Sequence, residues 1–183
     1  MFLNLTDELT DDLVTLTTSH WTTLLPHDWL VTPFKNAEAN YPFDARYVSD
    51  ERGLELDVRP FLDECPSNIK FIDRLTTPAI MEWLDAIRLL RPSAALSGTH
   101  YMDPNGFIAW HTNQLDRPQS KYRLYATFNE TVGSVFKYIL PGTTKVVVFE
   151  EPVGWYFKLF RVDTAMPHCV VSGSQRWSIG THF

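Results

Sequence analysis

Two short segments of this chain carry side chains with a clear capacity for chemistry. His111 and Asn113 are separated by one residue, and His168 follows about 57 residues after the first histidine. Arg176 and Ser178 come soon after the second histidine and are again separated by one residue. Imidazole nitrogens and an amide oxygen bind divalent metals, and an arginine beside a hydroxyl group suits a carboxylate. The pattern predicts a divided metal site with an anion-binding group close to it.

The metal-site residues fall in segments that are typical of β-strands. Because side chains alternate between the two faces of a strand, His111 and Asn113 are expected to share one face. The Ser-Gly-Ser run at 172–174 is expected to connect a hairpin, with His168 at its entrance and Arg176 on its return arm. This arrangement predicts that both histidines and the arginine face the same interior.

The second half of the chain is predicted to be almost entirely β-structure. Its short segments are rich in Val, Ile, Thr and aromatic residues and are bounded by Gly, Pro, Asn or Asp. These predicted strands are 107–112, 121–128, 134–140, 145–149, 155–162, 169–172 and 175–181. Such a series of short strands separated by turns predicts a small barrel or sandwich.

The first half is predicted to support this barrel. Residues 77–91 have a helix signal, since Thr77 can cap, Pro78 fits the first helical position and apolar residues recur at helical spacing. Residues 6–25 are compatible with a weaker helix, and 53–56 with a short strand in an otherwise irregular region. We therefore expect one domain, in which 1–91 form a helical and irregular support and substrate region and 92–183 form the barrel core.

Composition limits the possible classes of function. The chain has 183 residues, of which 44% are hydrophobic and 21% charged, as in an ordinary globular protein. Its net charge of −6 does not favour general binding to nucleic acid, and no apolar run is long enough to cross a bilayer. The two cysteines, Cys65 and Cys169, show no ligand-like spacing. We expect a cytoplasmic location, or the host cytoplasm if the chain is virus-encoded.

Two histidines and one oxygen ligand, with further positions open, are the arrangement used by non-haem Fe(II) oxygenases. At these residues the chain resembles the Fe(II)/2-oxoglutarate-dependent oxygenase family, nearest in style to its prolyl-hydroxylase-like branch. The resemblance covers about residues 101–183 and implies a mostly β fold, a double-stranded β-helix (a jelly-roll, cupin-like barrel) with supporting N-terminal helices. It implies hydroxylation of a C–H bond, with 2-oxoglutarate and O2 as co-substrates and a protein side chain, a nucleobase or a small molecule as substrate.

The resemblance also implies roles for individual residues. The implied ligands of Fe(II) are His111, Asn113 and His168. The residues implied to contact 2-oxoglutarate are Arg176, which would bind its distal carboxylate, together with Ser178, Tyr101 and Tyr125. Substrate choice would be set by the first hundred residues and by the loop 114–120, which follows the first iron-binding strand.

Asn113 departs from the family pattern, which has an aspartate at this position. An amide oxygen is a neutral and weaker ligand for a hard divalent ion than a carboxylate. Asn113 can still ligate the ion or a metal-bound water in an active oxygenase, or the position can admit a halide as in halogenases. Two other classes stay open: a metal-free barrel that acts as a binding or accessory protein, and a cupin-like protein that holds its metal through more histidines.

Several other polar residues are expected to have ordinary structural roles. Glu150 and Glu151 are predicted to form an exposed turn, and Cys169 is predicted to point away from the metal as a small buried hydrophobic residue. Lone histidines are more often packing or surface residues than ligands. For that reason no role is assigned to His20, His27, His100 and His182.

Overall fold

The computed structural model describes residues 1–6, 10–21, 34–35, 42–49, 66–72, 78–112, 120–140, 142–161 and 166–183. The helices in these ranges are α1 (Asp11–Trp21), α2 (Pro78–Leu90) and a short 3₁₀ helix (Ala45–Tyr47). The strands are β1 (Phe2–Asn4), β2 (Phe34–Lys35), β3 (Lys70–Ile72), β4 (Ala95–Met102), β5 (Gly106–His111), β6 (Tyr122–Asn129), β7 (Val135–Ile139), β8 (Val146–Glu150), β9 (Gly154–Arg161), β10 (His168–Ser172) and β11 (Arg176–His182).

Strands β4 to β11 are divided between two sheets that face each other across a common interior. The larger sheet has the order β1-β9-β6-β11-β4-β3-β2, and the smaller sheet has the order β5-β10-β7-β8. Each successive strand from β4 onward moves to the other sheet, except for β7 and β8, which pair directly. This alternation of antiparallel strands is the topology of a jelly roll. The predicted double-stranded β-helix is therefore confirmed.

The seven strands predicted from the sequence correspond to β5 through β11, and each end falls within one residue of the prediction. Strand β4 is missing from the prediction. Its sequence, Ala-Leu-Ser-Gly-Thr-His-Tyr-Met, contains a serine and a glycine at its centre and has no clear apolar alternation. The predicted strand at 53–56 lies outside the described residues.

The predicted hairpin at 172–174 is wrong. β10 pairs with β5 and β7, whereas β11 pairs with β4 and β6, so the connection crosses from the smaller sheet to the larger one. The crossing is tight, because a Cβ atom on Gly173 would lie 2.4 Å from the carbonyl oxygen of Gly133. His168 and Arg176 still face the same interior, since the inner faces of the two sheets oppose each other.

The outer face of the larger sheet is covered by the helices. Helix α2 begins at Pro78, as predicted, and buries Ile80, Trp83, Leu84 and Ile87. These residues belong to one apolar cluster with strand residues such as Phe157, whose ring centroid lies 6.0 Å from that of Trp83. Helix α1 lies within the predicted range 6–25 and contributes Leu13 to the same cluster. Burial of one apolar stripe per helix stabilises this layer.

The outer face of the smaller sheet forms a second apolar cluster, which contains Phe107, Trp110 and Cys169. Cys169 is completely buried there, as predicted.

Within the part of the chain that the structure describes, no helix has the length and apolar character needed to cross a membrane.

Candidate metal and anion site

A cavity of about 390 Å³ lies between the two sheets. The smaller sheet contributes His111, His168 and an apolar wall that includes Phe136, and the larger sheet contributes most of the charged side chains. The lining is thus apolar on one side and cationic on the other. Such a cavity suits a small polar ligand that is partly shielded from water.

His111 and His168 face each other from neighbouring strands. They are Cα partners in the pairing of β5 with β10. Their ring centroids lie 4.2 Å apart, with an interplanar angle of 56°. The predicted convergence of the two histidines is thus present in the structure.

A β-bulge in β5 turns His111 toward the cavity. His111 pairs with His168 and Ile108 pairs with Val170, so three steps along β5 match two steps along β10. The extra residue interrupts strict alternation, and both Ala109 and Trp110 are buried in the outer cluster. Without this bulge, the parity set by Ile108 would direct residue 111 away from the interior.

Each histidine ring is held by a backbone carbonyl two residues earlier in the chain. Nδ1 of His111 donates to the carbonyl oxygen of Ala109 at 2.8 Å, and Nδ1 of His168 donates to that of Met166 at 2.9 Å. Because a carbonyl oxygen accepts only, both rings carry their proton on Nδ1 and their lone pair on Nε2. In histidines that bind metals, such a hydrogen bond from the other ring nitrogen fixes the orientation of the ring.

The protein keeps both imidazoles neutral. Burial lowers the pKa of His111 to about 4; the bond to Ala109 partly opposes this shift, and the charge of Arg123 adds to it. Burial and the neighbouring His111 hold the pKa of His168 well below its usual value. Neutral imidazoles can bind a cation without first losing a proton.

These two histidines fit a divalent metal ion, but two side chains alone do not complete its coordination. Among the described residues, no group of three or more His, Cys, Asp or Glu side chains is placed to hold a metal ion. Asn113, the predicted third ligand, lies outside the described residues. Its role therefore stays a prediction.

Arg176 lines the cavity but is already paired with an internal carboxylate. Its Nε and Nη2 donate to the two oxygens of Glu151 at 2.6 and 3.1 Å. Lys158 donates to the same carboxylate at 2.9 Å. Glu151 is only 4% exposed, so the predicted exposed turn is wrong at this residue, although Glu150 is exposed. The backbone N–H of Glu151 donates to the backbone carbonyl oxygen of Ser134 at 2.9 Å, which fixes the chain directly after β8.

The charges of this buried group stabilise one another. Burial alone would raise the pKa of Glu151, but Arg176 and Lys158 outweigh it and hold that pKa well below the usual range. Burial lowers the pKa of Lys158 to about 8, although Glu151 opposes the shift. Glu151 is therefore an anion across the physiological pH range and neutralises part of the cationic lining.

Tyr101 does not line the cavity. Side chains alternate along β4, so His100 faces inward while Tyr101 faces the helical layer, where its ring lies 5.1 Å from that of Trp177. The Tyr101 hydroxyl donates to Asp103 at 3.0 Å. The prediction placed Tyr101 in the pocket by its distance from His111 in sequence, without knowledge of the strand that carries it.

His100 occupies the place in the cavity lining that the prediction gave to its neighbour, Tyr101. It lines the cavity, and burial together with Arg176, Arg123 and His111 lowers its pKa to about 3. Its Cα partner on β11 is Ser178, which also lines the cavity. Prediction of β4 would have placed His100 on the same face as Ser178 and so would have found it.

Tyr125 and Ser178 line the cavity, and their contact with 2-oxoglutarate stays a prediction. The ring of Tyr125 stacks on that of Phe160 with centroids 5.7 Å apart. Ser178 lies beside Thr127, with 3.5 Å between their hydroxyl oxygens. Two cationic residues of the lining, Arg123 and Lys158, were missed. The signal for Arg123 was its alternation with Tyr125 and Thr127 along a predicted strand.

No protein-family model and no curated protein matches this chain. Among solved structures, it is similar to a Pseudomonas putida prolyl-4-hydroxylase, with 17% identity, coverage of 86% of this chain and 95% of that chain, and a TM-score of 0.45. It is similar to a 2OG-Fe(II) oxygenase family oxidoreductase from Burkholderia pseudomallei, with 12% identity, coverage of 100% and 95%, and a TM-score of 0.46. It is also similar to the Drosophila melanogaster CENP-C cupin domain, with 12% identity, coverage of 96% and 98%, and a TM-score of 0.39.

Proposed function

We propose that this chain is an Fe(II)- and 2-oxoglutarate-dependent dioxygenase that hydroxylates a C–H bond of an unidentified substrate. His111 and His168 hold the metal ion, with Asn113 as the third ligand. The observation that carries the proposal is the pair of neutral imidazoles, each with its lone pair on Nε2, inside a cavity with one cationic wall. When bound, the metal supplies the activation of O2.

The protein's own residues supply position, charge and exclusion of water. Ala109 and Met166 fix the imidazole rings through their carbonyl oxygens. Arg123 and Lys158 give the cavity a positive potential that attracts a dicarboxylate. Phe136 and Phe160 keep the neighbourhood of His168 apolar, with ring centroids 5.5 and 5.3 Å from the imidazole.

An anaerobic titration with Fe(II) and 2-oxoglutarate tests the proposal. We expect a visible charge-transfer band in the wild type and its loss in His168→Ala. The matched control is His100→Ala, which removes a histidine of the same cavity that does not belong to the pair and is expected to keep the band. Absence of the band in the wild type at high iron concentration, or its persistence in His168→Ala, would reject the proposal.

Substitution at position 113 tests the third ligand. A carboxylate binds a hard divalent ion more tightly than an amide oxygen. We therefore expect Asn113→Asp to raise the affinity for Fe(II), measured from the same band. An unchanged affinity would show that this side chain does not reach the metal. A change of the band on addition of halide would instead support a halogenase.

One observation favours a second candidate function, a metal-free binding protein. Arg176, which the resemblance assigns to 2-oxoglutarate, already has a carboxylate partner in Glu151. Binding of a carboxylate ligand in the presence of EDTA, together with no spectroscopic response to Fe(II), would support this alternative. A metal-dependent band in the wild type would exclude it.

A further inference from the structure

Arg123 is a buried cation with no carboxylate partner among the described residues. It lies near the start of β6, lines the cavity and is only 6% exposed. Its Nη1 donates to the hydroxyl oxygen of Tyr125 at 3.1 Å, and its buried Nε has no hydrogen-bond partner within the described ranges. A guanidinium group in such a place is unfavourable unless an anion joins it.

The position of Arg123 is close to the histidine pair. Its Cα partner on β9 is Phe160, whose ring centroid lies 5.3 Å from that of His168. Its charge contributes to the lowered pKa values of both His111 and His168. An anion bound by Arg123 would therefore lie at the end of the cavity where the metal ligands are.

Arg176 lies at the opposite end of the same sheet face. It pairs with Asn129, the last residue of β6, whereas Arg123 pairs with His182 at the other end of β11. Six residues of extended strand between positions 123 and 129 correspond to about 20 Å. Both arginines have the side-chain chemistry to bind an anion. Because they are this far apart along the sheet, one small ligand cannot be assigned to both on that chemistry alone.

Tyr125 completes the anion site. Its hydroxyl oxygen accepts from Arg123, so its proton is available for a ligand oxygen. Stacking on Phe160 holds the ring. Gly180 makes room for it, because a Cβ atom there would lie 2.6 Å from Cε1 of Tyr125.

We propose that Arg123 and Tyr125 bind a carboxylate group of 2-oxoglutarate beside the histidine pair, and that Arg176 is a structural partner of Glu151. The identification of the ligand rests on the proposed function. The anion site itself follows from a guanidinium with no carboxylate partner among the described residues, the adjacent phenol and the enclosed cavity. A planar guanidinium with a hydroxyl beside it matches the two oxygens of a carboxylate.

Isothermal titration calorimetry with 2-oxoglutarate tests this assignment in the full chain, once in EDTA and once with Mn(II). We expect Arg123→Gln to weaken binding by about tenfold or more, as for loss of a charge-assisted contact. Tyr125→Phe is a second variant that preserves ring packing, and we expect it to weaken binding by about threefold to tenfold. The matched control is Arg46→Gln at an exposed arginine, and its affinity is expected to equal that of the wild type. Inorganic phosphate in place of 2-oxoglutarate separates carboxylate recognition from general anion binding.

Three results would overturn the assignment: no binding of 2-oxoglutarate by the wild type at millimolar concentration, wild-type affinity in both Arg123→Gln and Tyr125→Phe, or equal loss of affinity in Arg46→Gln. Failure here is distinguishable from failure of the proposed function. A charge-transfer band that survives Arg123→Gln at unchanged 2-oxoglutarate affinity removes only the anion site. Binding in EDTA that depends on Arg123, without any band with Fe(II), removes only the metal chemistry.

Discussion

At one end of the cavity, Arg176 and Lys158 share the buried carboxylate of Glu151. At the other end, Arg123 donates to the neutral phenol oxygen of Tyr125 and has no carboxylate partner in the part of the chain that the structure describes. All three cations are at least nine-tenths buried. The protein thus contains the same kind of side chain in two different electrostatic states. We call these regions the glutamate end and the histidine end of the cavity.

The difference shows that an inward-facing arginine on a strand is not by itself an anion receptor. Neutralisation by Glu151 gives Arg176 a partner within the protein, so its charge is already compensated. Arg123 has no such partner in the ranges that the structure describes, and this leaves it with binding capacity for a ligand. The comparison can be tested by removal of the charges at each end.

The largest effect is expected for Glu151→Gln at the glutamate end. The substitution leaves Arg176 and Lys158 buried without their anion. Loss of one member of a buried ion pair destabilises a protein by about 3–5 kcal/mol. Urea denaturation followed by tryptophan fluorescence measures this change in the free energy of unfolding.

The matched control for this prediction is Glu150→Gln. Glu150 is exposed and directly precedes Glu151, so the chemical change is the same without burial. We expect an effect within about 0.5 kcal/mol, as for most surface substitutions. Similar losses for the two variants would contradict the assignment of Glu151 as the internal anion.

Acid is expected to destabilise the histidine end before the glutamate end. The pKa of His111 is about 4 in the folded protein and about 6.5 when unfolded, so the unfolded chain binds the additional proton between these values. The contribution of neutral His111 to the free energy of unfolding is fully present above pH 6.5 and falls as the pH decreases toward 4. We expect His111 alone to account for a loss of about 2 kcal/mol in metal-free protein, less than the full shift implies because His111 is partly exposed.

The glutamate end responds in a lower pH range. The folded pKa of Glu151 is depressed below its ordinary value of 4.5, so its contribution is present above pH 4.5 and is lost only as the pH falls further. Chemical denaturation at intervals from pH 7.5 to 3.5 separates the two ranges. His111→Gln should reduce the slope between pH 6.5 and 4.5 without removing it, because burial also lowers the pKa values of His100 and His168. A wild-type stability that stays constant across that interval would show that the imidazole is not held neutral.

The sequence predicts the strands whose pattern of apolar and turn residues lies within the strand itself and its flanking turns. Strands β5 to β11 alternate or have apolar runs between turn residues, and their bounds were predicted to within one residue. The pairing of strands was not accessible in the same way. The Ser-Gly-Ser run at 172–174 is typical of a hairpin, but the chain instead changes sheets there, because both neighbouring strands have other partners.

The candidate site was predictable in part for the same reason. His111, His168 and Arg176 were found from residue type and spacing, yet two features depend on tertiary structure. The bulge that turns His111 inward is visible only in the pairing of β5 with β10. The partner of Arg176 is Glu151, a residue 25 positions away that the sequence indicates as exposed. Charge neutralisation at that distance has no sequence signature.

The smallest expected effect concerns Arg123→Met, which removes the cation of the histidine end while nearly preserving side-chain length. Loss of the bond to Tyr125 is offset by relief of a buried charge, so stability in the absence of ligand should be unchanged or higher by up to about 1 kcal/mol. Arg176→Met, the matched substitution at the other end, should lower stability by about 3 kcal/mol, since Glu151 loses its main partner. Denaturation of both variants in EDTA gives the comparison directly. Equal destabilisation would mean that Arg123 has an internal partner after all, and the contrast between the two ends would no longer identify a ligand site.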